Sequence, residues 1–128
     1  MKITHLAYWV QDLEGIRSFY EKYFGAKAGD LYVNPQKGFR SYFLRFDEGA
    51  ELEIMQMPSI EDENSVRGKR MGLAHVAISV GSEQAVDDLT ERLRQDGFTV
   101  EGAPRRTGDG YYESVILDPE SNFVEITV

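Results

Sequence analysis

The chain contains no cysteine among its 128 residues. Disulfide bonds, thiolate zinc sites and a cysteine nucleophile are therefore excluded. No apolar run approaches the roughly 18 residues that suggest a membrane span, and no membrane association is expected. Met1 to Val10 lacks the basic start, apolar stretch and cleavage site of a signal peptide. These absences fit a cytoplasmic protein. Positive charge is also in short supply: 14 Lys and Arg face 22 Asp and Glu, for a net charge of −8. Phosphate-directed nucleic-acid binding needs a basic surface, so no nucleic-acid partner is expected. Short basic clusters at Arg67, Lys69, Arg70 and at Arg105, Arg106 read as solvated loop charge. Histidine is scarce too, with two in the chain.

What is present suffices for one folded domain. The composition is 41% hydrophobic with many aromatics, and a chain of this length can bury a core unaided. The chain also repeats itself. His5-Leu6-Ala7-Tyr8-Trp9-Val10 parallels His75-Val76-Ala77-Ile78-Ser79-Val80. Each is an alternating, β-prone run with His first and Ala third, and each leads into a helix signal. Asp12 caps the first helix, Leu13, Ile16, Phe19, Tyr20, Tyr23 and Phe24 form its apolar stripe, and Gly25 stops it. Ser82 caps the second, Ala85, Val86, Leu89 and Leu93 form its stripe, and Gly97 stops it.

Three strand-like pieces follow each helix. They are roughly 28–33, 41–47 and 51–57 in the first half, and 99–105, 111–118 and 123–128 in the second. Each half thus reads β-α-β-β-β. The predicted fold is α+β: two tandem modules, 1–57 and 72–128, joined by a polar connector, 58–71, and forming one domain with a curved mixed sheet.

The ends match as well. Glu51-Leu52-Glu53-Ile54-Met55 parallels Phe123-Val124-Glu125-Ile126-Thr127. Alternate side chains of a strand share a face. Leu6, Tyr8 and Val10 oppose His5, and Val76, Ile78 and Val80 oppose His75. Leu52 and Ile54 oppose Glu53, and Val124 and Ile126 oppose Glu125. The apolar faces should pack on the helices, leaving His5, Glu53, His75 and Glu125 on the other side. One histidine on a strand is usually a hydrogen-bonded structural residue. Here both histidines fall at equivalent positions of a repeat, each matched by a Glu. Two imidazoles and two carboxylates suit one borderline divalent ion such as Ni²⁺, Zn²⁺, Co²⁺, Mn²⁺ or Fe²⁺. Octahedral coordination would leave two positions for water or substrate. The aromatics Trp9, Phe39, Tyr42, Tyr111 and Tyr112 are candidates to line an apolar cleft, with ordinary packing as the competing reading. Thr107-Gly108-Asp109-Gly110-Tyr111 is expected to be a mobile loop near the site, although its turn chemistry equally fits a plain hairpin turn.

Several motifs together resemble the vicinal oxygen chelate superfamily, the glyoxalase and bleomycin-resistance group. They are His5 followed by Val10-x-Asp12-Leu13, the Phe19-Tyr20 pair, Phe24-Gly25, Glu53, Gly72-Leu73-Ala74-His75-Val76-Ala77, and Asp118-Pro119-x-x-Asn122-x-x-Glu125. The resemblance covers essentially the whole chain. It implies that His5, Glu53, His75 and Glu125 are the metal ligands. The ligand set is similar to that of glyoxalase I, lactoylglutathione lyase. This implies a lyase or isomerase acting on a small vicinal-oxygen substrate through a metal-stabilised enediolate, with Glu125 as base and Glu53 as the alternative. Two departures bear on substrate. Trp9 stands where such enzymes typically carry Arg, and Met57 where they tend to carry Asn, and both family residues help hold glutathione. Activity on glutathione adducts is therefore expected to be weak or absent. Trp9, Tyr42, Met57 and Tyr111 are the expected substrate contacts. The resemblance also implies a homodimer with metal sites at the subunit interface. The alternatives are a non-catalytic drug-binding protein of the bleomycin-resistance kind and, less favoured because of Glu53, a metal-dependent dioxygenase.

Overall fold

A computed structural model describes residues 1–61, 67–69 and 71–128. Positions 62–66 and 70, and with them part of the expected connector, lie outside the described residues. The chain divides into two compact units, Met1–Asn64 and Ser65–Val128.

In the first unit, β1 (His5–Trp9) leads to helix α1 (Leu13–Phe24), followed by β2 (Lys27–Ala28), β3 (Tyr32–Asn34), β4 (Phe39–Arg45) and β5 (Glu51–Gln56). The helix begins where its sequence says it should. The Asp12 carboxylate accepts the Gly15 amide proton at 2.9 Å, a cap worth about 1 kcal/mol. The helix ends at Gly25, whose φ of 65° is left-handed and carries no Cβ penalty. Between those ends Leu13, Ile16, Phe19, Tyr20 and Tyr23 are buried, against Leu44, Leu52 and Ile54 of the sheet. The strand order is β1-β5-β4-β2, with β3 also on β4; β1 and β5 run parallel and the other pairs antiparallel.

The second unit repeats the plan with β6 (His75–Ser79), α2 (Glu83–Gln95), β7 (Val100–Arg106), β8 (Tyr112–Leu117) and β9 (Phe123–Thr127). Its sheet order is β6-β9-β8-β7, again with one parallel pair, β6 and β9. Ser82 caps α2 by accepting from the Ala85 amide at 3.1 Å. The helix closes with Phe98 N donating to Leu93 O and Gly97 N to Arg94 O, with Gly97 at φ 91°. Val86, Thr90 and Leu93 are its buried residues. Thr90 lies outside the expected stripe; its hydroxyl donates to Val86 O and is 2.6 Å from the Ser114 hydroxyl, so both polar groups are satisfied inside the core. The architecture is α+β, with the β-α-β-β-β plan in both halves and two mixed sheets.

Two sequence expectations need correction. The expected strand at 28–33 is two strands, β2 and β3. Ala28 pairs with Leu44 and Tyr32 with Ser41, so the outer strand carries one more residue than β4 across that interval. The extra residue, in Gly29-Asp30-Leu31, bulges out of the ladder. Nor are the basic clusters simply solvated. Arg67 donates to Asn122 at 2.9 Å and faces Glu120 at 3.8 Å. Lys69 pairs with Glu101 at 3.0 Å, Arg105 with Glu113 at 3.3 Å, and Arg106 with Glu83. The protein's excess of carboxylates makes a partner available to each of these four, while Arg70 lies outside the described residues.

Candidate metal-binding residues

The parallel strand pairs set the site geometry, and they do so with the same register twice. In the first unit His5 lies opposite Glu51 and Ala7 opposite Glu53. In the second His75 lies opposite Phe123 and Ala77 opposite Glu125. Each Glu is therefore diagonal to its His, two positions along and on the same face. His5 Nε2 is 4.0 Å from Glu53 Oε2. His75 Nε2 is 3.6 Å from Glu125 Oε2. Exposure matches as well, at 44% and 45% for the histidine side chains and 16% for each glutamate. The imidazoles are open and the carboxylates are held in the sheet. Leu52, Ile54, Val124 and Ile126 alternate with them into the core.

These distances suit a shared cation. Bonds to such a metal are about 2.0–2.2 Å, so two ligands of one ion lie within about 4.4 Å of each other. Both pairs meet that limit. Among the described residues no three His, Cys, Asp or Glu side chains converge as a metal-holding group; each unit holds one His–Glu pair.

The surroundings of the two pairs differ. In the first unit the neighbours are aromatic. Phe43 stands edge-on to His5 at 5.3 Å. Trp9 and Phe39 are 6.0 Å apart, and Phe39 and Tyr32 5.9 Å apart. In the second unit the neighbours are charged. Glu113 on β8 lies opposite Thr127, two residues beyond Glu125, and Arg105 on β7 lies opposite Glu113. The first unit's counterpart of Glu113 is Ser41, opposite Met55. Burial, and next the Glu113 carboxylate, raise the Glu125 carboxyl above its ordinary range, while His75 and Arg105 pull it down. Sequence reasoning missed Glu113 and its pairing with Arg105. The repeat comparison gives no hint of Glu113, because the first half has Ser in its place.

The expected substrate contacts separate. Trp9 stands on the His5 face, 36% exposed. Met57 is half-buried just beyond β5. Tyr111 is exposed immediately before β8. Tyr42 is not on the His5 face. It lies opposite Ile54, is buried, and donates its hydroxyl proton to Glu14 of α1 at 3.0 Å. Tyr112 likewise turns to its helix and donates to Asp87 at 2.8 Å. The expected mobile loop is a tied hairpin turn. Thr107 N donates to Tyr111 O at 2.8 Å, Gly110 N to Thr107 O at 3.0 Å, and Tyr111 N to the Thr107 hydroxyl at 3.1 Å.

Comparison with known proteins agrees with this plan. The family model described as the glyoxalase, bleomycin resistance protein and dioxygenase superfamily matches residues 2–126. An uncharacterised Pseudomonas aeruginosa protein is 31% identical over 98% of this chain and 86% of its own length. An uncharacterised Bacillus subtilis protein is 30% identical over 95% of this chain and 94% of its own. The solved structure of a possible glyoxalase from Bacillus cereus superposes with a TM-score of 0.73 at 28% identity, covering 100% of this chain and 99% of that one. Glyoxalase I from Zea mays has the same fold, with a TM-score of 0.80 at 22% identity. It matches 98% of this chain, which spans 44% of the maize chain.

Proposed function

Because the chain belongs to the glyoxalase, bleomycin resistance protein and dioxygenase superfamily, we propose that it is a divalent-metal-dependent lyase or isomerase acting on a small substrate with vicinal oxygens. The observation that carries this reading is the His–Glu pair repeated in identical register in both units. His5, Glu53, His75 and Glu125 are the proposed ligands, neutral imidazoles and ionised carboxylates as metal binding requires. A bound ion supplies Lewis-acid stabilisation of the oxygen charge that develops during reaction. The remaining work belongs to side chains. Glu125 takes a proton from the carbon beside a carbonyl and returns it to the neighbouring carbon, an isomerisation with no net redox change. Glu53 is the alternative; burial and Glu113 raise the proton affinity of Glu125. That effect opposes a cation's tendency to keep a nearby carboxylate ionised. Trp9 and Met57 replace polar contacts used for glutathione in the enzymes this chain resembles, so the proposed substrate is not a glutathione adduct.

A second reading, a non-catalytic binder of apolar ligands, is favoured by the aromatic row Trp9, Phe39 and Tyr32 beside His5. One experiment separates the two readings. Metal-depleted protein is reloaded with each candidate ion, its thermal midpoint is recorded, and hemithioacetals of several thiols are offered. The enzyme reading expects about one ion per chain and stabilisation of about 2.7 kcal/mol at a hundredfold excess over Kd. Glu53→Gln and His75→Ala should both sharply reduce that response. Metal binding unchanged in both variants rejects the ligand assignment. Metal binding with no turnover of any adduct favours the binder.

A further inference from the structure

Arg105 carries more of the site than a surface arginine would. It sits on β7, whose pairing with β8 is irregular on both sides of Gly102. The irregularity brings Arg105 opposite Glu113, on the face that also carries Glu125 and His75. The guanidinium folds back along its own strand. A Cβ built on Gly102 would lie 3.0 Å from Arg105 Nη1 and 3.5 Å from Val115 Cβ. Any side chain there would compete with the guanidinium for space. At the other end, Nη2 is 3.3 Å from Glu113 Oε1. Glu113 is a buried carboxylate, 9% exposed. Arg105 itself remains half exposed, at 51% of its side chain.

A guanidinium has five N–H donors in a planar fork. Among the described residues Glu113 is the one hydrogen-bonding partner found for Arg105, which leaves most of the fork unused. A planar, permanently charged fork matches carboxylate and phosphate oxygens bidentately, and of the two the singly charged carboxylate suits a site already lined with carboxylates. A bound metal removes the electrostatic bar to such a ligand. In the proposed four-ligand site Glu53, Glu113 and Glu125 together outweigh Arg105, and a divalent ion cancels the excess.

Resting on the proposed metal-dependent function, we propose that Arg105, cradled by Gly102 and oriented by Glu113, binds a carboxylate group of the substrate. The substrate class is then a small acid that carries vicinal oxygens and a further carboxylate. The parallel position in the first unit has no counterpart, because Ser41 there offers no anion to orient an arginine.

The test measures binding by calorimetry on metal-loaded protein with two probes, 2-oxoglutarate and 2-oxobutyrate. Both present vicinal oxygens, and the first alone has a second carboxylate. The parent chain should prefer 2-oxoglutarate by about tenfold or more, in line with a charge-assisted hydrogen bond. Arg105→Gln should bring the ratio near one, and Arg105→Lys should keep part of it. Gly102→Ala keeps the charge but displaces the fork, and should also lower the preference. Metal affinity, titrated separately, should not be lost in any of the three variants, since Arg105 is not a ligand and removing its charge does not repel a cation. No preference in the parent, or a preference that survives in Arg105→Gln, overturns the proposal and leaves the metal assignment standing. Loss of metal affinity in Arg105→Gln also overturns it, because the residue would then support Glu125 structurally. Absence of metal binding in the parent defeats the proposed function and this inference with it.

Discussion

A single hydroxyl shows how alternation along a strand decides a residue's role. Tyr42 and Phe39 are both aromatic and both on β4, yet they have opposite parity. Phe39 joins Trp9 beside His5, while Tyr42 packs against α1 and donates to Glu14. Burial first, then the hydrogen bond to Glu14 and that carboxylate's charge, raise the Tyr42 pKa above its ordinary value of 10.0. The fold therefore favours the neutral phenol. That contribution is fully present below the unfolded value of about 10 and is lost as pH rises through the higher folded value. Tyr42→Phe should cost about 1 kcal/mol in urea unfolding at neutral pH, the usual net worth of such a bond. The deficit should shrink and then reverse in alkaline buffer, as the parent's phenolate begins to face Glu14. A deficit that is constant with pH would show that the bond is not the source. Metal-induced stabilisation should be the same in both proteins, because Tyr42 lies on the helix side of the sheet.

Elements were legible where a repeat or a cap marked them. Asp12 and Ser82 both accept the expected amide protons, and Gly25 and Gly97 end the helices. The His–Glu register was legible because two copies of the same pattern constrained each other. The outer strands were not, since bulges leave no trace in an alternating pattern: β2 and β3 split around Gly29-Asp30-Leu31, and β7 shifts its pairing around Gly102. The Arg105–Glu113 pair became visible only when that shift placed the two residues opposite each other. The hairpin between β7 and β8 is a similar case, because Gly108 and Gly110 fit a mobile loop as well as a turn. Its hydrogen bonds decide for the turn. The amides of Thr107, Gly110 and Tyr111 should exchange at least about tenfold more slowly than an open loop amide. Thr107→Val removes the hydroxyl that accepts from Tyr111 N and bonds Asp109, so protection should fall at Tyr111 first. Unprotected amides in the parent would show that the turn opens freely in solution.

For the whole molecule, the repeat raises the question of how many ligands one chain can present together. Each unit has a helix on one face of its sheet and a His–Glu pair on the other. Two ligands alone are a poor cage for an ion that takes four or more. We propose that the homodimer expected from the sequence answers this: His5 and Glu53 of one chain would meet His75 and Glu125 of the other, in two equivalent sites related by two-fold symmetry. Chains carrying His5→Ala and chains carrying His75→Ala should each bind metal poorly alone. After mixing and subunit exchange, a mixed dimer regains one complete site, made from the intact His5 of one chain and the intact His75 of the other. With statistical exchange about half of the dimers are mixed, so about a quarter of all sites should recover. A ligand set completed within each chain gives no recovery, because every chain then lacks one histidine. Titration of the mixture with metal reads the difference directly, and mass spectrometry of the intact assembly verifies that exchange has occurred. Recovery near a quarter supports shared sites; none, after verified exchange, rejects them while leaving the four ligands as assigned.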